Sequence, residues 1–179
     1  MRAIRNLYQD LGVDQYYTHE GSAYENPHFP QIETLLTQNQ YRINYENVLD
    51  FCCGGGEVSK VLQALGHSLP QASDPYTQEA YRKNFERDCW DFSFEDVIRG
   101  KLTGQFSSII CSFAMHLCLQ KQLFPLVHQL FLCTPQLVII TPHKRPELEN
   151  LTNIALEFTD FTLTKRGKKV FLKSYSQNI

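Results

Sequence analysis

The chain has 179 residues, 42% of them hydrophobic, which suits a single packed domain with one ordinary core. Its 17 lysines and arginines against 19 acids leave a net charge of −2, which argues against a protein that lives mainly on phosphate backbones. The start, Met1-Arg2-Ala3-Ile4-Arg5-Asn6, leads into a polar stretch with no apolar signal region, and no run approaches a membrane span. None of the six cysteines (Cys52, Cys53, Cys89, Cys111, Cys118, Cys133) forms a Cys-x-x-Cys pair, so no metal site is expected. Most sit in apolar surroundings and read as reduced thiols of a cytoplasmic protein.

Residues 1–45 are rich in Tyr, Asn, Gln and His and read as an N-terminal helical cap before a core at 46–179. Asn26-Pro27 predicts a helix start, with Asn26 as N-cap and Ile32, Leu35 and Leu36 as an apolar stripe. From about residue 45, short apolar runs alternate with helical patterns, as in an α/β sheet. Asn47 to Phe51 reads as a strand. Glu57 to Leu65 reads as a helix with Val58, Val61, Leu62 and Leu65 on one face. Leu69 to Ser73 reads as a second strand, where Pro70 is tolerable only if a very short third strand leaves part of it as an edge. Helices are predicted at Gln78–Phe85, Phe94–Arg99 and Leu123–Cys133, the last with Pro125 in its first turn. Buried strands are predicted at Phe106–Ser112 and Leu137–Thr141, and a terminal hairpin at Phe161–Tyr175 turning at Arg166-Gly167. The order predicts a mostly parallel sheet with an antiparallel last strand.

The densest chemistry lies in Val48-Leu49-Asp50-Phe51-Cys52-Cys53-Gly54-Gly55-Gly56-Glu57, a buried strand, an acid, a glycine loop and a helix. Ligands of open α/β sheets bind at the carboxyl ends of the strands, where this loop lies. The dinucleotide fingerprint Gly-x-Gly-x-x-Gly is incomplete, because Ser59 stands at its third glycine. Asp50 and Glu57 flank the loop and would repel a pyrophosphate, whereas they suit ammonium and sulfonium centres. Asp74 follows Gly56 by 18 residues, a separation at which an acid commonly accepts from ribose hydroxyls, and Pro75 and Tyr76 could flank an adenine.

The string VLDFCCGGGE resembles the first motif of the class I S-adenosylmethionine (SAM)-dependent methyltransferases. SDPYT resembles their second motif and FSSIICSFAMHL the stretch around their fourth strand, so the similarity spans about Asn47 to Thr141 and the ending resembles their final hairpin. The resemblance implies a Rossmann-like α/β fold with a seven-stranded-type sheet and helices on both faces. It implies SAM as cofactor and S-adenosylhomocysteine as product. Asp50, Phe51, Cys52, Gly54 and Gly56 would sit at the methionine side and Asp74 at the ribose. Asp91, with Phe92 and Ser93, is favoured over Asp88 at the adenine. Cys111 and Ser112 would lie beneath the reacting methyl. Cys52 departs from the commoner glycine, which would displace the loop slightly there.

Cys111-Ser112-Phe113-Ala114 stands where nucleic-acid amino-methylating members carry Asp/Asn-Pro-Pro-Tyr, so a small-molecule acceptor is expected, with a protein, peptide or RNA acceptor as the alternative. A catalytically inactive SAM-binding regulator of a protein partner is a further reading. Candidate bases are His28, His116 and His143, with His19 a weaker one; the last two follow buried strands. Tyr17 and Tyr24, with Tyr16, would close over the cofactor. Lys165, Arg166, Lys168 and Lys169 form a basic turn, read first as a solvated hairpin tip and second as a contact for an anionic substrate.

Overall fold

A computed structural model describes residues 26–178. The elements in order are α1 (Phe29–Gln38), β1 (Val48–Phe51), α2 (Glu57–Ala64), β2 (Gln71–Ser73), α3 (Gln78–Phe85), α4 (Phe94–Ile98), β3 (Ser108–Ser112), α5 (Gln120–Phe131), β4 (Leu137–Thr141), β5 (Ile154–Leu163) and β6 (Lys169–Gln177). Short 3-10 turns stand at Met115–Leu117 and Leu148–Asn150. The six strands form one sheet in the order β2-β1-β3-β4-β6-β5. β1 to β4 run parallel, β6 runs antiparallel to β4, and β5 pairs antiparallel with β6.

The central strands are buried on both faces, as parallel strands must be when helices cover them. Their side chains alternate. Leu49, Phe51, Ile109, Cys111, Leu137 and Ile139 join Leu126, Val127 and Leu130 of α5 in one cluster. Val48, Ile110, Val138 and Ile140 join Ile32, Leu35 and Leu36 of α1 and Val58, Val61 and Leu62 of α2 in the other.

A seven-strand arrangement survives as six strands and one bridge. Trp90 makes a lone parallel bridge with Ser73, donating to Ala72 O at 3.0 Å and accepting from Asp74 N at 2.8 Å. β2 begins after Pro70, at Gln71, so the proline costs no ladder bond.

Several element ends shift from the sequence expectation, and three of the differences bear on the packing. Asn26 does not cap α1; His28 holds the N-cap position, and Pro30 occupies the first turn. Asn26 instead folds back, its Oδ1 accepting from His28 N at 2.9 Å while its own N–H donates to Glu57 Oε1 at 3.0 Å. α5 starts at Gln120, so Pro125 falls in its second turn; the carbonyl it leaves unbonded belongs to Lys121, which is exposed to water. The hairpin begins at Ile154 rather than Phe161, and its turn is closed by Thr164 N to Lys168 O and Gly167 N to Thr164 O.

Gly56 is the one loop residue whose size the packing fixes most tightly. It caps α2 with φ +86°, and a Cβ there would stand 2.2 Å from Phe85 Cε2 and 3.0 Å from Tyr81. Gly56→Ala should therefore cost about 2–4 kcal/mol, from left-handed strain plus overpacking. Urea unfolding measures it, and Phe85→Leu in the Gly56→Ala background should recover part of the loss.

Candidate cofactor and active site

The glycine loop is held from below by carboxylates. Asp74, at the end of β2, accepts from Gly54 N at 3.2 Å through Oδ2, and from Tyr76 N at 2.9 Å and Thr77 N at 3.1 Å through Oδ1. Burial pushes its pKa up, opposed by those N–H bonds. Asp50, fully buried on β1, accepts from Ser59 N at 3.1 Å and Ser59 Oγ at 2.7 Å through Oδ2. Its Oδ1 has no partner, and burial raises its pKa well above the carboxylate range. Glu57 is also buried and raised by burial, with the Asn26 N–H opposing.

The loop leaves β1 through Cys52 at φ +58° and turns at Gly54 (φ +57°) and Gly56 (φ +86°). Cys52 thus takes a left-handed conformation, the one in which a glycine would be free of strain. Phe113, just beyond β3, stands at φ +56°. Left-handed non-glycine residues cost of order 1–3 kcal/mol each and gather at functional sites. Here both lie at the carboxyl ends of neighbouring strands, beside one cleft.

That cleft is open to solvent, and its empty space, with the open mouth included, is about 830 Å³. Cys52 and Gly54 form its floor, and Asp74, Pro75, Tyr76 and Thr77 one wall. Phe92, Ser93 and Phe94 form a second wall, and Ser112, Phe113, Ala114 and Leu117 the far end. Asp74 is its only charged lining residue among the described residues.

The structure brings Cys52, Gly54, Asp74, Pro75, Tyr76, Phe92, Ser93 and Ser112 together in this cleft. Other candidates stand behind it. Asp50 and Gly56 shape the loop from beneath, and Phe51 is a core residue. Cys111 is buried, and its neighbouring thiol, together with burial, raises the Cys52 thiol. Asp91 does not reach the cleft: its side chain is 73% exposed and pairs with Lys101 at 3.7 Å. Asp88 points to solvent as well and pairs with Arg82. The cause is the single-bridge third strand, which turns only Phe92 and Ser93 inward, with Ser93 capping α4 through Asp96. Tyr16, Tyr17, His19 and Tyr24 lie outside the described residues. Thr77, Phe94, Phe113, Ala114 and Leu117 line the cleft without having been singled out by sequence; Thr77 was legible within SDPYT, whereas nothing in the sequence marks Phe113 as left-handed.

The three candidate histidines sit at the far end. His28 stacks on Phe113, ring centroids 4.9 Å apart and 9° from parallel. His116, in the 3-10 turn that supplies Leu117, meets His143 of the turn after β4 at 4.6 Å between centroids. His116 Nδ1 is buried without a partner, and burial with the neighbouring His143 lowers its pKa to about 4. All six cysteines carry free thiols, and no group of three ligating side chains is gathered among the described residues. No helix there is long and apolar enough to cross a membrane.

No family model matches the chain. The uncharacterized protein C17A5.05c of Schizosaccharomyces pombe is 30% identical to it, over 77% of this chain and 74% of the relative. Among solved structures, the magnesium protoporphyrin IX methyltransferase of Synechocystis PCC 6803 with bound S-adenosylhomocysteine matches with TM-score 0.64 at 17% identity, over 98% of each chain. The N-methyltransferase NodS of Bradyrhizobium japonicum, also with S-adenosylhomocysteine, matches with TM-score 0.66 at 12% identity, over 97% of this chain and 100% of its own. The ribosomal protein L11 methylase of Lactobacillus delbrueckii matches with TM-score 0.61 at 17% identity, over 87% of this chain and 81% of that one. The chain belongs to the family of the fission-yeast protein and has the class I SAM-dependent methyltransferase fold.

Proposed function

We propose that the cleft binds SAM and that the protein transfers its methyl group to a small-molecule acceptor, releasing S-adenosylhomocysteine. The observation that carries this reading is the state of the α2 N-terminus. Ser59 N, one of the donors that would greet a pyrophosphate, is taken by Asp50, and Gly54 N is taken by Asp74. No lysine or arginine lines the cleft among the described residues. Such a site disfavours a phosphate ligand and favours one with cationic centres. SAM fits this requirement, and it supplies an electrophilic methyl on sulfonium sulfur when bound.

In this reading Asp74 holds the ribose: among the described residues its Oδ2 accepts from Gly54 N, which leaves acceptor capacity toward the cleft. Pro75, Tyr76, Phe92 and Ser93 enclose the adenine. Cys52 and Gly54 lie under the methionine, and Ser112 and Phe113 mark where the methyl is exposed to the acceptor. Asp50 is a positioning residue here, fixing the loop through Ser59. Much of the acceleration comes from alignment of acceptor and methyl, and the rigid ends of β1 and β3 provide it. Where the acceptor carries a proton at neutral pH, the candidates to take it are His28, His116 and His143; burial and the neighbouring His143 hold the His116 ring neutral and leave it a weak base.

The whole chain acts as one methyltransferase domain, with 1–45 as an N-terminal cap. Its described part packs α1 on the sheet and brings His28 against Phe113 at the cleft mouth. The free thiols fit a cytoplasmic setting.

S-adenosylhomocysteine should bind saturably by calorimetry. Asp74→Asn keeps the shape but replaces one carboxylate oxygen by an amide that cannot accept, so affinity should fall about ten- to a hundredfold. Equal affinity in both proteins would remove Asp74 from the site, and saturable NADH binding would overturn the choice of ligand.

His116 also predicts a pH effect. Its folded-state pKa of about 4 lies below the ordinary histidine value, so between the two the unfolded chain takes the proton and the folded chain does not. Stability is therefore lost as pH falls from about 6.5 toward 4. The melting temperature of the wild type should drop more over that window than that of His116→Gln; parallel curves would show that His116 is not held neutral.

A further inference from the structure

The far end of the cleft leads to a basic rim. Thr141, the last residue of β4, pairs with Phe171 of β6, and Lys169 pairs with Leu163 of β5. The hairpin tip at 164–168 therefore projects from the same end of the sheet as the glycine loop and Ser112. The turn after β4 rises beside it, closed by His143 N donating to Thr141 Oγ1 at 3.1 Å and Thr141 Oγ1 donating to Arg145 O at 3.3 Å. The His116–His143 ring contact joins that turn to the segment that lines the cleft through Ala114 and Leu117. On the other side, α1 spans the same gap. His28 stacks on Phe113, and Gln31 Nε2 lies 3.5 Å from Leu163 O.

Lys144, Arg145, Lys165, Arg166, Lys168 and Lys169 all stand on this rim and all are exposed. None of them makes an ion pair among the described residues, although Arg82, Arg99, Lys101 and Lys173 do. Lys169 only covers the Phe161 ring, at 4.2 Å. Glu147, the acid of the same loop, is engaged by Asn150 Nδ2 at 3.3 Å. Six of the chain's 17 cations thus gather beside a cleft that contains none, in a chain whose net charge is −2. Like charges so placed repel one another, and a partner anion relieves that cost. The rest of the molecule is net acidic, which disfavours a long phosphate backbone running beyond the rim.

We propose that this rim binds an anionic group of a small acceptor, a phosphate or clustered carboxylates with at least two negative charges, while the acceptor's reacting atom faces Ser112. The proposal rests on the reading of the cleft as a methyltransferase site. The tip joins β6 and β5, two and three strands beyond β3, so the charged group would lie about 10–15 Å from the transferred methyl, the span of a small metabolite. Lysine ammoniums suit such an anion as point charges, and the two arginines can grip it bidentately.

The test titrates the full chain, saturated with S-adenosylhomocysteine, with inorganic tripolyphosphate, citrate and a short single-stranded RNA at physiological salt, followed by calorimetry and amide NMR. Tripolyphosphate should bind saturably and shift the amides of 143–145 and 164–169. Lys165→Glu/Arg166→Glu/Lys168→Glu should weaken it at least about tenfold with S-adenosylhomocysteine affinity unchanged; Lys144→Glu on the other loop should weaken it in the same direction. Citrate binding as tightly at the same amides would assign the site to carboxylates, and its failure to bind would assign it to phosphate. Absence of saturable binding by both anions, or RNA binding more tightly than tripolyphosphate, would overturn the proposal. Failure of S-adenosylhomocysteine to bind the wild type would instead overturn the cleft reading on which the word acceptor depends.

Discussion

The Asp74 carboxylate is the contact on which the site depends. Three backbone N–H groups from two segments converge on it: Gly54 from the loop after β1, and Tyr76 and Thr77 from the turn after β2. A carboxylate this buried persists only when its oxygens are satisfied, so burying it fixes the positions of the donors. Asp50, one strand inward, ties β1 to the first turn of α2 through its Oδ2 and Ser59, while its Oδ1 has no partner among the described residues and burial raises its pKa. The loop is consequently held open by the protein's own acids. A ligand that enters meets a formed surface and pays little to organise it.

The same arrangement divides the charge of the molecule. Acids lie under the glycine loop, Asp74 is the one charge in the cleft walls among the described residues, and cations stand at the rim beyond His143. A cofactor with cationic centres and an acceptor with an anionic group would each find the opposite sign, with the reacting atoms meeting between them at Ser112 and Phe113. The left-handed Phe113 is what lets β3 end abruptly there. Its ring turns onto His28, and the chain drops into the 3-10 turn that carries His116.

Much of this was legible in the sequence because it rests on strong periodic or positional signals. VLDF alternates between the two cores, and GGGE marks a strand-to-helix turn. Asp74 stands at the end of β2, as its distance from Gly56 predicts. The helix Gln78–Phe85 was read with its observed bounds. The very short third strand was legible from Pro70 and the short spacing after Asp74, and the lone bridge at Trp90 is its remnant. The residue it presents to the cleft was not legible, and Asp91 turns to solvent instead. The start of α1 was misplaced because Asn26-Pro27 offers a good local cap, yet Glu57, 31 residues away, competes for the Asn26 N–H. The left-handed Cys52 shows a tertiary demand overriding residue preference, since a non-glycine residue stands in the conformation that favours glycine.

The most direct test of the account is a crystal structure of the full chain with S-adenosylhomocysteine. The account predicts the ribose hydroxyls on Asp74, the adenine between Tyr76 and Phe92, and the sulfur over Cys52, facing Ser112. A ligand lodged elsewhere on the sheet, or one in this cleft with its ribose turned away from Asp74, would contradict it.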